Sequence, residues 1–219
     1  TDEGEAQVAQ KLNQGLKKIS PNYEIKDTQK VGPTIANDIK ISAIYAVIFS
    51  ITVIFLNILI RFRRWEFGLA AIVALLHDVL VLLAIFSLFN GILPFSLDID
   101  QAFIAAILTV LGYSINDTVV IFDRVREYIG QHRSKDENLP TVINNALNST
   151  LSRTVITGVC TIAVLVIIFI FGGETLRGFS FAMLIGVIFG TYSSLFVATP
   201  FVVEFIRKKP VPAKEAVKA

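Results

Sequence analysis

The chain has 219 residues, 53% of them hydrophobic, with a mean hydropathy of +0.64. Twenty basic against 18 acidic residues leave a net charge of +2, too even to mark a nucleic-acid binder, so charge carries meaning only by position. The apolar residues fall in long runs separated by polar stretches, which excludes an ordinary water-soluble core and puts the chain in a lipid bilayer.

The chain opens with the polar TDEGEAQVAQ and reads without a secretory signal before its first apolar run. Val8, Leu12, Leu16 and Ile19 recur at helical spacing, Ser20-Pro21-Asn22 punctuates, and residues 23–31 read as a weak strand with Tyr23, Ile25 and Val31 on one face. A helix and a strand of this length cannot bury a core alone. Residues 1–40 are therefore expected to be the remnant of a small α+β external domain whose remainder lies elsewhere. Gly32-Pro33 ends the strand and leads into the membrane.

Five segments suit a hydrocarbon core that needs about 20 apolar residues: 41–60, 67–89, 101–122, 152–171 and 179–205. The fold class expected is a membrane all-α bundle of five spans. Arg61, Arg63 and Arg64 follow the first span; Arg124, Arg126, Arg133 and Lys135 follow the third; Arg207, Lys208 and Lys209 follow the fifth. The alternate links, 90–100 and 172–178, carry only Arg177. The positive-inside rule then makes the basic links and the tail, 206–219, cytoplasmic and the N-terminal segment external; that segment holds six lysines, but the rule weakens for translocated domains. Within the cytoplasmic link 123–149, Asp123, Arg124, Arg126 and Glu127 continue the third helix into water, and 140–149 read as a short surface helix. The single cysteine, Cys160, lies in an apolar run and cannot form an intrachain disulfide.

Small residues form three stripes: Ala102, Ala105, Thr109, Gly112 and Asn116 on the third span, Thr150, Thr154, Thr157 and Thr161 on the fourth, and Ala182, Gly186, Gly190 and Ser193 on the fifth. They predict close helix packing, because small side chains let backbones approach where lipid offers no hydrophobic drive.

Ionisable residues at membrane depth are the functional candidates, since each costs a few kcal/mol or more and is kept for pairing or titration. Asp117 lies roughly 9 Å inside the cytoplasmic end marked by Asp123, at about 1.5 Å per residue. Arg153, just inside the start of the fourth span, has a side chain long enough to reach that depth. Desolvation opposes the charge on Asp117 while Arg153 favours it. The pair is either a proton-binding switch or a permanent bridge that fixes helix register. His77 and Asp78 point about 100° apart on one helix and read as a satisfied interior histidine, with the carboxylate bonded elsewhere, more than as a secondary relay. Asp98 and Asp100 precede the third span as cap and first-turn acid. No zinc motif of the His-Glu-x-x-His type, no phosphate-binding glycine loop and no basic aromatic stripe is present in the sequence, so no cofactor, metal or nucleic acid is expected, and no enzyme activity. An intramembrane aspartyl protease is the enzyme alternative, on Asp78 and Asp117, but 112–117 read Gly-Tyr-Ser-Ile-Asn-Asp rather than Gly-x-Gly-Asp. A proton-coupled exporter of small molecules or lipids would share the bundle and its acid.

The string AAILTVLGYSINDTVVIFDRVRE, 105–127, resembles the signature helix of the SecF family, the smaller membrane subunits of the SecD–SecF protein-export complex. ALLHDV at 74–79, FSLDID at 95–100, TLSRT at 150–154, FGG at 171–173 and GFSFAMLIGVIFGTYSS at 178–194 stand in the family's order, and VGPTIA at 31–36 is similar to the family's entry into the membrane. The resemblance implies the resistance-nodulation-division class of proton-driven bundles, with six spans and an external domain between the first two. Five spans and a remnant of that domain are found here, which suggests a C-terminal piece of a longer chain, a nicked product or part of a SecD–SecF fusion. In the family, the carboxylate of the matching Asn-Asp-Thr motif and the arginine of the matching Arg-Thr motif are linked to proton conduction. They fall on Asp117 and Arg153, with Asn116 adjoining. The resemblance further implies an inner-membrane location, protons as the coupling ion, and SecD, the SecY–SecE–SecG channel, YajC and unfolded preprotein as partners, with ATP hydrolysis in another protein.

Overall fold

A computed structural model describes residues 10–17, 33–132 and 138–207. The strand expected over 23–31 lies outside them, as do Val8, Ile19, Arg133, Lys135 and the tail beyond 207. The chain divides into two compact units, Thr1–Asp38 and Ile39–Ala219. In the first, residues 10–17 form helix α1.

Helix α2 (Pro33–Phe62) begins in the first unit and continues in the second, whose long helices are then α3 (Trp65–Phe89), α4 (Gln101–His132), α5 (Leu139–Phe171), α6 (Gly173–Ser193), a π-helical turn (Ser194–Ala198) and α7 (Thr199–Arg207). Among the described residues, five stretches are long and apolar enough to cross a membrane: Asn37–Phe62, Trp65–Phe89, Gln101–Gln131, Leu139–Phe171 and Leu176–Ile206. All five expected spans are present, each starting or ending outside its predicted bounds where the helix leaves the apolar run. The third continues through Asp123 to His132, because Arg124 and Glu127, bonded at 2.7 Å, extend it into a polar surround. Residues 140–149 differ from the separate surface helix expected: they are the first turns of α5, which runs unbroken for 33 residues with Pro140 in its first turn. Pro is tolerated there because the N–H it lacks has no partner in a first turn anyway.

Short connections hold the spans antiparallel. The α2–α3 turn is two residues, with Arg63 in the left-handed region at φ 54° and its N–H bonded to Leu59 O at 2.9 Å. Gly172 caps α5 and Gly173, at φ 75°, starts α6, a conformation that suits a residue without Cβ. Asp100 caps α4 by accepting the Phe103 N–H at 2.8 Å, as its position before the span predicts. Asp100→Ala is expected to lower stability by about 1 kcal/mol, read as a lower thermal midpoint in detergent with the helical spectrum retained. At the other end of α4, Arg61 and Arg126 converge on Asp123 and lie over the Phe62 ring, tying α2 to α4.

The interior consists of two apolar clusters with a polar belt between them. One joins Ile58, Phe62, Phe67, Phe122, Val125, Ile143 and Val202 at the Arg61 end. The other joins Leu75, Leu82, Phe86, Phe103, Val110, Leu165 and Val187. Along α4, the buried residues between them are Ser114, Asp117 and Thr118; along α5, Thr150 and Thr154; along the last span, Ser193 and Ser194. Asp78 on α3, between Leu75 and Leu82 of the second cluster, joins this belt through its 2.7 Å contact with the Ser114 hydroxyl.

Of the small-residue stripes, only the last behaves as one continuous packing face: Ala182, Gly186, Gly190 and Ser193 are all buried. On α5 the buried face is Thr150, Thr154 and Gly158, while Thr157 turns outward. On α4, Ala105, Thr109, Gly112 and Asn116 are exposed, and a Cβ at Gly112 would meet nothing within 4 Å among the described residues. That stripe does not pack against the described helices of this chain.

Candidate functional site

Asp117 sits on the face of α4 that turns into the polar belt and is 6% exposed. Its Oδ2 has no hydrogen-bond partner among the described residues. Helix α5 runs past on the other side of the belt, and the Arg153 guanidinium exerts a Coulombic attraction on Asp117 across that gap. The two do not close a contact: no ion pair among the described residues includes either. Arg153 itself is exposed. Asp117 and Arg153 thus stand on α4 and α5 with no closed ion pair between them among the described residues. Asn116 lies on the exposed side of α4, in the small-residue stripe. Two further buried hydroxyls in the belt, Thr154 Oγ1 on α5 and Thr191 Oγ1 on α6, also lack partners among the described residues.

Asp78 is the most deeply placed carboxylate in the described bundle, at 0% exposure. Its Oδ2 accepts a hydrogen bond from Ser114 Oγ at 2.7 Å, and its Oδ1 lies 3.2 Å from His77 Nδ1. The Ser193 hydroxyl faces the same group. A buried carboxylate needs such partners, and here the Ser114 hydroxyl of α4 donates one bond and the His77 ring stands at hydrogen-bond distance, while the Ser193 hydroxyl itself donates to Gly190 O at 3.1 Å. His77 lies at the edge, its side chain 32% exposed, along an apolar groove of α3 formed by Val73, Leu76, Leu80, Val81 and Ala84. The expectation that Asp78 is bonded elsewhere agrees with the Ser114 contact, and the same geometry also joins it to His77. The partners of Asp78 are hydroxyls and an imidazole, not Asp117, so the two acids do not share the hydrogen-bonded dyad that aspartyl proteolysis uses.

Hydroxyls extend this site beyond the residues singled out from the sequence. Thr118 Oγ1 lies 2.8 Å from Ser194 Oγ, and the Ser114 carbonyl accepts from both, at 3.0 Å from Thr118 and 3.3 Å from Ser194. Ser194 opens the π turn, where Thr199 Oγ1 reaches back to Ser194 O at 3.0 Å. Wide turns of this kind occur often at functional sites in helices. The available signal was Ser114 and Thr118 four apart, flanking Asp117, with Ser193-Ser194 on another span.

Comparison with known proteins puts this arrangement in context. The family described as protein export membrane protein SecD/SecF, C-terminal, matches residues 11–208. The protein translocase subunit SecF of Rhodothermus marinus is 52% identical over 203 residues, covering 93% of this chain and 64% of the relative. The protein translocase subunit SecDF of Brucella abortus is 37% identical over 219 residues, 100% of this chain and 27% of the relative. The crystal structure of SecDF from Thermus thermophilus, a translocon-associated membrane protein, superposes with a TM-score of 0.71 at 38% identity, over 81% of this chain and 24% of that one. The chain spans less than two thirds of the length of these relatives.

Proposed function

Because the chain belongs to the SecD/SecF family of protein-export membrane proteins, we propose that it forms the SecF-type half of an inner-membrane machine that uses the proton gradient to promote export of unfolded polypeptide. Asp117 carries the proton. The observation behind this reading is a carboxylate 6% exposed at membrane depth, with one oxygen unpartnered among the described residues and the Arg153 charge acting on it from the facing helix. An acid held this way changes its interactions when it gains or loses a proton: ionised, it draws Arg153 towards it; neutral, it releases Arg153. The proton acts as a ligand, and it can shift the bundle only through the different packing of those two states. Asn116 adjoins Asp117 on the outward face and joins the partner side of the site. The motion passes to the external domain, which binds and releases the emerging preprotein.

The exposed stripe Ala105, Thr109, Gly112 and Asn116 supports a partner bundle against α4, and SecD, or the SecD half of a fused chain, fits that place. The SecY–SecE–SecG channel and YajC complete the assembly, with a periplasmic N-terminal segment and a cytoplasmic C-terminal tail. Protons are the coupling ion, and no other cofactor takes part. Vesicles containing the complete complex and the channel, loaded with an exporting substrate, test the reading. Release that rises with an imposed proton gradient, and only when the complex is present, supports it; equal release with and without the gradient overturns it.

A further inference from the structure

The proposed switch uses Asp117 and Arg153 and leaves Asp78 without a role, although Asp78 is the more deeply buried acid. A side chain chosen for packing alone would be apolar there, because a carboxylate at membrane depth costs a few kcal/mol. Its contacts meet at Ser114, three residues before Asp117 on α4. The Ser114 hydroxyl donates to Asp78 Oδ2 at 2.7 Å, and its carbonyl holds Thr118 and, across to the last span, Ser194. On α6, Gly190 leaves room for this junction: a Cβ there would stand 3.1 Å from Ser114 Cβ and 3.7 Å from Asp78 Oδ2. Three helices are therefore pinned at a single residue of α4.

We propose that Asp78 is the positioning residue of the proton switch: through Ser114 it holds the rotation of α4 that presents Asp117 towards Arg153. The inference rests on the proton-coupling reading. Three residues correspond to about 300° around a helix, so Ser114 and Asp117 stand some 60° apart, and a change in how Ser114 is held turns Asp117 with it. The groups facing Asp78 are His77 on its own helix, Ser114 from α4 and Ser193 from α6; the charge acting on Asp117 is Arg153 from α5, and the Tyr113 hydroxyl on α4 lies within the field of Asp117. Ser114 is the connection between these two sets.

In the complete complex, Ser114→Ala removes only the hydroxyl, and Asp78→Asn removes the charge but keeps an acceptor oxygen. Both are read by the pH midpoint of gradient-dependent release at matched abundance, with Asp117→Asn alongside. Loss of one hydrogen bond corresponds to about a fivefold change in an equilibrium, so each variant is expected to move the midpoint by roughly that factor in proton concentration. A packing role would alter abundance or melting and leave the midpoint in place. Midpoints unmoved in both variants, with Asp117→Asn inactive, overturn the positioning role alone. If Asp78→Asn fails to accumulate, Ser114→Ala decides. Gradient dependence that survives Asp117→Asn overturns the proton reading, and this inference with it.

Discussion

Asp117→Asn is expected to reduce the gradient-dependent part of polypeptide release to background while leaving the complex assembled at normal abundance. Asparagine keeps the size and shape of the acid but cannot exchange a proton. The stability side has a definite sign. The carboxylate is 6% exposed with an oxygen unpartnered among the described residues, so removing its charge relieves a desolvation cost of a few kcal/mol rather than adding one. Arg153 loses its attraction but is exposed, so leaving it unpaired costs little. A fall in release together with a fall in abundance would instead make Asp117 a packing group. Arg153→Leu provides the companion result: gradient dependence should be lost while assembly persists, since the guanidinium makes no contact ion pair among the described residues.

Gly186→Leu is expected to prevent the bundle from accumulating, while Gly112→Leu should leave this chain folded and weaken its association with a partner bundle. A Cβ at Gly186 would fall 2.2 Å from Val110 Cγ2 and 3.0 Å from Val110 Cβ. Val110 is fully buried in the cluster with Leu75, Leu82 and Val187, and its branched side chain has little rotamer freedom on a helix. Even alanine at 186 therefore costs about 1–3 kcal/mol, and leucine pushes α6 away from α4. A Cβ at Gly112 meets nothing within 4 Å among the described residues. Abundance and thermal midpoint of the chain, and co-purification of the SecD-type half, separate the two sites. A Gly112→Leu chain that fails to fold by itself would contradict the outward orientation of the stripe.

These two glycines show what sequence can and cannot convey. Both lie in small-residue stripes at helical spacing, and nothing in the spacing says that the stripe on the last span turns inward while the one on α4 turns outward. Burial of a stripe depends on the rotation of the whole helix, which is set by contacts to other spans. The five spans themselves were readable because twenty-residue apolar runs have few alternatives in water. Their ends were readable only in part: the third helix continues through Asp123 and Glu127 as its charges imply, but Leu139–Ser149, expected as a separate surface helix, is the amphipathic start of α5. For the site, depth along the chain was enough to bring Asp117 and Arg153 to facing helices. It was not enough to reveal the Asp78 junction. That contact joins residues 36 apart on separate spans, and a change of one residue in helix register would break it. The π turn at Ser194 was equally hidden, because its sequence is as apolar as the helix on either side.

The decisive measurement is the infrared spectrum of the complete complex, recorded across the working pH range and in each substrate-bound state, with the Asp117→Asn complex subtracted. A carboxylic-acid C=O band that grows as pH falls, and is absent from the variant, is the predicted result. A signal that stays carboxylate throughout, in every state, would contradict proton binding at Asp117 and remove the basis of the switch.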